Sequence, residues 1–192
     1  MCCRYLFSDA PKDDRVKKIL ALMDRDHPGE YKTGEIFPGD TAAAIIGEAG
    51  RLRHVPAIFG FPGLRDGGRL LLNARAETVE DKPTFAKAFR TQRAILPADG
   101  FFEWSHTGPK TKYLFTLPEE RTLYLCGLYT LHEGKYRFVI LTRPANDSMI
   151  EVHDRMPVIA TADQVRPYLT DLAAAQAVLR RPGQALNRSI EF

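Results

Sequence analysis

The sequence predicts mostly β structure, an antiparallel sheet or barrel with a few helices at its periphery. Three observations carry that expectation. Residues 94–96, 101–104, 113–117, 122–131 and 136–141 are β-branched or aromatic runs. Turn residues separate them, with Glu133-Gly134-Lys135 between the last two in the manner of a hairpin. Helical periodicity, by contrast, is confined to a few segments.

Element by element, Val16, Ile19, Leu20 and Met23 recur at helical spacing up to His27-Pro28, with Ser8 or Asp9 as the expected cap. Phe37-Pro38-Gly39-Asp40 and Phe61-Pro62-Gly63 punctuate the middle of the chain, where apolar runs 42–46 and 70–72 read as strands or loops. Residues 84–90 read as a helix that buries Phe85 and Phe89 on one face. Thr161-Ala162-Asp163-Gln164 has capping-box form, and residues 172–179 form an Ala-rich helix before Pro182-Gly183. With no repeat, low-complexity tract or linker, residues 1–192 are expected to form one domain.

Composition excludes several classes. With 192 residues and 44% hydrophobic content, the chain can bury a sizeable core and is not expected to be disordered. No apolar run is long enough to span a bilayer and no secretory h-region opens the chain, so the expected location is cytoplasmic, without membrane contact. Three cysteines, Cys2, Cys3 and Cys126, make neither a disulfide framework nor a zinc spacing, and no metal or cofactor is expected. A net charge of +3 permits a polyanionic partner without requiring one. Monomer is the default expectation.

Four segments place reactive or polar groups in rigid surroundings. Removal of Met1 would leave Cys2 as a 1,2-aminothiol. Its amine and thiol, with reference pKa values of roughly 7.7–8.0 and about 8.5, are both partly nucleophilic near neutrality. Such a pair attacks acyl carbons or captures aldehydes as thiazolidines; an early Cys is otherwise ordinary core filler. Asn73 and Arg75 stand two apart after an apolar run, on one face if extended, where Asn73 can orient a substrate and Arg75 can bind phosphate. They are equally ordinary strand-end residues. Glu103 lies among Phe101, Phe102 and Trp104, either facing solvent by simple alternation or facing a pocket where it can transfer protons. His153, followed by Asp154 and Arg155, offers a general acid or base. His27, His54, His106 and His132 stand in turn-like or polar contexts without a motif.

Taken in order, Met1-Cys2 with Arg4, Asn73-Ala74-Arg75-Ala76-Glu77-Thr78, Pro97-Ala98-Asp99-Gly100-Phe101-Phe102-Glu103-Trp104 and His153-Asp154-Arg155-Met156-Pro157 resemble the successive signatures of the SOS response-associated peptidase (SRAP) family. The resemblance extends to about Ala160, with weaker agreement around Leu141-Thr142-Arg143-Pro144-Ala145-Asn146. It implies an α+β single domain with a mainly antiparallel, β-barrel-like core. It also implies a sensor and covalent trap of abasic sites in single-stranded DNA, nucleoid-associated when bound. By the same resemblance, Cys2 is the cross-linking nucleophile, Asn73 and Glu103 flank it, and His153 completes the site. Arg4, Arg75 and Arg155 are expected phosphate ligands, and Trp104, Phe59 and Phe61 expected base-stacking rings.

The chemistry agrees with the residues. The open aldehyde of an abasic sugar suits the Cys2 amine, and thiol addition to the resulting imine closes a durable ring. Because imine chemistry runs both ways, a lyase-type activity accompanies this reading. Two alternatives stay open: a Cys N-terminal-nucleophile peptidase, self-processing included, and a noncovalent single-stranded DNA-binding module. The chain departs from the family pattern at Cys3, where Gly is usual, and at Phe59-Gly60-Phe61-Pro62-Gly63-Leu64, where Trp-Gly-Leu is common.

Overall fold

In the computed structural model, which describes residues 3–63, 68–105 and 108–191, the chain begins with β1 (Arg4–Phe7), α1 (Asp14–Asp26), β2 (Gly34–Ile36), β3 (Thr41–Glu48) and β4 (Arg51–Phe59). It continues through β5 (Asn73–Arg75), α2 (Pro83–Thr91), β6 (Arg93–Ala98), β7 (Gly100–Trp104), β8 (Lys112–Thr116), β9 (Leu123–His132) and β10 (Lys135–Pro144). The last elements are β11 (Arg155–Pro157), β12 (Ile159–Ala160), α3 (Val165–Thr170), α4 (Leu172–Arg180) and β13 (Asn187–Glu191).

The larger sheet runs β11-β10-β4-β3-β6-β9-β12, and an additional β9–β10 pairing closes β10, β4, β3, β6 and β9 into a ring. Closure pairs strand edges that would otherwise be exposed. All these pairings are antiparallel except those of β4 and β5 alongside β10. The β9–β10 turn has left-handed Glu133 (φ 50°) and Gly134 (φ 74°), the two-residue geometry whose twist matches the flanking strands. Every residue of β6 is buried, because α2 and α3 pack on the strand's far side, so it reads as a continuous apolar run rather than an alternating one. At Gly47 the α3 backbone comes so close that a Cβ would lie 2.2 Å from the Leu169 carbonyl oxygen.

The second sheet, β13-β8-β7-β1-β2, is wholly antiparallel. Alternation sends Tyr5, Phe7, Phe101 and Phe115 inward, where they join the contiguous core. Tyr5 meets Phe59 and Phe138 edge-on, at centroid separations of 6.1 and 6.4 Å, and thereby fastens the first strand to the barrel.

The helices correct several boundaries. Asp13, not Ser8 or Asp9, caps α1 by accepting from the Arg15 N–H at 2.8 Å. The expected apolar stripe, Val16, Ile19, Leu20 and Met23, is buried. Thr161 keeps half of its capping box: its N–H donates to Gln164 Oε1 at 3.0 Å, while its hydroxyl bonds Asp163. Extended Asp171 separates α3 from α4 and caps the latter through the Ala174 N–H. His54 lies within β4 rather than in a turn, and burial pushes its imidazole down. Of residues 70–72, Leu71 forms a bridge to Phe61, and the Leu72 carbonyl accepts from the Ile140 N–H at 3.0 Å. No helix among the described residues is long and apolar enough to cross a membrane.

Candidate active site

The N-terminal strand brings Cys3 and Glu103 together. Tyr5 pairs with Phe101 and Arg4 with Phe102, so continuing this register by one residue sets Cys3 opposite Glu103 on the inner face. Glu103 is only 4% exposed, which overturns the solvent-facing alternative. Alternation holds along β7, with Phe101 and Glu103 sharing the inner face; Phe102 on the outer face is covered as well, with Lys112 Nζ 4.0 Å from its ring centre. The Trp104 N–H donates to Glu103 Oε1 at 3.3 Å. Half-buried Cys3 has its thiol pushed up by burial and then by the Glu103 charge, which keeps it protonated near neutrality. Asp99 fixes the other end of the strand: its N–H donates to the Leu6 carbonyl at 2.8 Å and its carboxylate accepts from the Ser8 N–H at 2.6 Å. Cys2, the expected nucleophile, lies outside the described residues, as does Leu64.

Two further groups flank the C-terminal half of β10. On one edge, β5 pairs Asn73 with Ile140 and Arg75 with Thr142, and the Asn73 amide reaches the Ile140 carbonyl at 3.5 Å. On the other edge, β11 pairs Arg155 with Pro144. His153, mostly buried, has Nδ1 2.9 Å from the Arg155 N–H, from which the unprotonated nitrogen accepts. Nδ1 also lies 2.8 Å from Asp154 Oδ1; that carboxylate is 80% exposed, so water screens the pair. Arg155 is engaged at both ends of its fork. Nη2 donates to Glu77 Oε2 at 2.9 Å and to the Thr142 carbonyl at 2.7 Å, and Nη1 donates to Glu77 Oε1. The bonds from Arg155 push the Glu77 carboxyl below its ordinary value. Arg75 is exposed and adds positive charge beside Glu77.

On the outer face of the second sheet, the Arg4 guanidinium lies between two rings, 4.4 Å from Phe37 and 4.8 Å from Trp104. It also pairs with Glu35 at 3.3 Å. Trp104 is half-buried at this edge. The other two proposed stacking rings are core residues: Phe59 is fully buried and stacks on Phe138 with centroids 4.9 Å apart, and Phe61 is 5% exposed and packs on Phe85. Neither offers a free face to a base. Glu77, Asp99, Glu35 and Phe37 belong to these clusters without any local sequence signal for it. The first two lie inside quoted motifs, but their partners are remote in sequence; the last two are readable only through strand register.

Residues 1–189 match the protein family described as SOS response associated peptidase (SRAP). Abasic site processing protein YoqW of Bacillus subtilis (strain 168) is 34% identical over 183 residues, covering 88% of this chain and 80% of the relative. Abasic site processing protein YedK of Escherichia coli (strain K12) is 26% identical over 182 residues, covering 88% and 79%. Abasic site processing protein HMCES of Xenopus tropicalis is 28% identical over 123 residues, covering 50% and 37%. A crystal structure of a phage-related protein from Bordetella bronchiseptica superposes with a TM-score of 0.74 at 24% identity, covering 99% of this chain and 94% of the other, a likeness of fold.

Proposed function

Because the chain belongs to the SOS response associated peptidase (SRAP) family, we propose that it captures abasic sites in single-stranded DNA as a thiazolidine cross-link through Cys2, once Met1 is removed. The observation that carries this reading is the register of β1 on β7, which brings Cys3, the residue after Cys2 in the sequence, to a buried carboxylate, Glu103. That its relatives are named abasic site processing proteins supports the same substrate.

In this mechanism protonated His153 donates a proton to the sugar ring oxygen as its bond to C1′ breaks and the C1′ hydroxyl gives up its proton to solvent, which opens the aldehyde. The Cys2 amine attacks C1′, forming an N–C1′ bond. Glu103 carries protons as the carbinolamine loses water to an imine. The Cys2 sulfur then adds to the same carbon and its proton passes to nitrogen, closing a five-membered ring. Asn73 positions the sugar or amine without titrating. Arg4 and Arg75 contact phosphates and Trp104 offers a ring to a base, while Arg155 acts chiefly by holding Glu77 and Thr142. The imine is the branch point: elimination from it gives lyase-type strand cleavage, and ring closure suppresses that route. Removal of Met1 is the one peptide-bond cleavage the scheme requires, whether the chain itself or an aminopeptidase performs it.

Denaturing electrophoresis with an abasic single-stranded oligonucleotide tests the reading. A heat-stable, slow-migrating band is expected, and methoxyamine, which caps the aldehyde, should abolish it. A band that survives methoxyamine contradicts aldehyde capture.

A further inference from the structure

Two cations from different strands converge on one carboxylate beside the start of β1. Arg4 Nη1 lies 3.3 Å from Glu35 Oε1, and Lys112 Nζ lies 3.3 Å from Glu35 Oε2. Register puts all three on the outer face: Glu35 opposes Leu6, two residues from Arg4, and Lys112 opposes Trp104. Aromatic rings also hold both cations. Arg4 lies between Phe37 and Trp104, and Lys112 crosses the Phe102 ring. Both ion pairs are longer than the roughly 2.7–2.9 Å of a well-formed charge-assisted bond. The three side chains are 26% to 35% exposed, so solvent and an incoming anion can reach them.

A carboxylate bridging a guanidinium and an ammonium stands where a phosphodiester would bind. We propose that Arg4 and Lys112 form a phosphate subsite for single-stranded DNA, and that Glu35 competes with the phosphate for it and weakens binding to undamaged strands. The inference rests on the abasic-site reading for its ligand. Phosphate contacts are blind to the lesion and supply most nonspecific affinity. A trap that gripped phosphates tightly would be held on intact DNA. Glu35 lowers that grip, so that discrimination falls to the covalent step, which only an aldehyde can undergo.

Fluorescence anisotropy with an undamaged single-stranded oligonucleotide at low salt tests this without any covalent step. Glu35→Gln, nearly isosteric, should bind about 3- to 10-fold more tightly than wild type. That gain should disappear in the Lys112→Gln/Arg4→Gln background. Lys112→Gln alone should bind more weakly than wild type. Unchanged or weaker binding by Glu35→Gln, or wild-type affinity in Lys112→Gln, overturns the proposal. Absence of a cross-link to abasic DNA would instead sink the capture reading, leaving these affinities to stand on their own.

Discussion

Arg155 grips Glu77 through both terminal nitrogens, with Nη2 at 2.9 Å from Oε2, and so ties the segment after Asn73 to the segment after His153. The two segments pair on opposite edges of β10, and this clamp bridges across that strand's end. Thr142, on β10 itself, takes the same guanidinium at its carbonyl.

The clamp has a defined pH signature. Arg155 holds Glu77 below its ordinary value, against the opposing effect of partial burial, so the stabilisation is full above the unfolded carboxyl pKa of about 4.3 and is lost as pH falls through the lower folded value. Glu77 is 43% exposed, so screening limits the effect to about 1 kcal/mol or less. Urea unfolding of wild type and Glu77→Gln should differ by a constant amount between about pH 5 and 7 and converge below about pH 4. A difference that grows on acidification contradicts the assignment.

Cys3 should report on Glu103 directly. In a Cys2→Ala background, peptide mapping of iodoacetamide alkylation should give Cys3 a midpoint above that of an ordinary thiol. Glu103→Gln should lower that midpoint by removing a neighbouring negative charge. Buried Cys126, with its thiol pushed up by desolvation, should remain unlabelled in the folded protein. If Glu103→Gln leaves the Cys3 midpoint where it was, the two side chains do not face each other.

Arg93 is a buried cation that bonds carbonyls at two helix ends. Its guanidinium donates to Phe89 and Arg90 at the end of α2, at 2.8 and 2.6 Å, and to Tyr168 and Leu169 in α3, at 2.5 and 3.2 Å. Each helix C-terminus carries partial negative charge that suits a cation. Truncation would strand several buried carbonyls, so Arg93→Ala should lower unfolding free energy by about 3 kcal/mol or more, measured by urea denaturation. A loss below about 1 kcal/mol would show that water satisfies them instead.

Much of this arrangement was legible in the sequence, and the failures have physical causes. The five runs of the second half became β6 to β10 because each buries apolar side chains. Strand β13, Asn-Arg-Ser-Ile-Glu, carries no such signal: it is an edge strand held by backbone pairing to β8, and most of it is exposed. Phe59 and Phe61, beside Gly60 and Pro62, looked available for stacking on bases. Their fate was decided by Phe138 and Phe85, which no local pattern brings near. Glu103 stood out in sequence as a carboxylate among aromatics, but both faces of β7 bury aromatic rings, so only the register against β1 and β8 tells which face Glu103 takes. The Arg155–Glu77 clamp joins residues from two separate motifs, so each motif alone is silent about it.

Covalent capture through Cys2 can be read by intact mass spectrometry. Wild-type protein would be incubated with a single-stranded oligonucleotide bearing one abasic site, beside Cys2→Ala and Glu103→Ala. Thiazolidine capture should give a species lacking Met1 whose mass increases by that of the oligonucleotide less one water, absent from Cys2→Ala and slower to form in Glu103→Ala. Wild-type protein that has lost Met1 and remains at its own mass, or an equal adduct on Cys2→Ala, would contradict it.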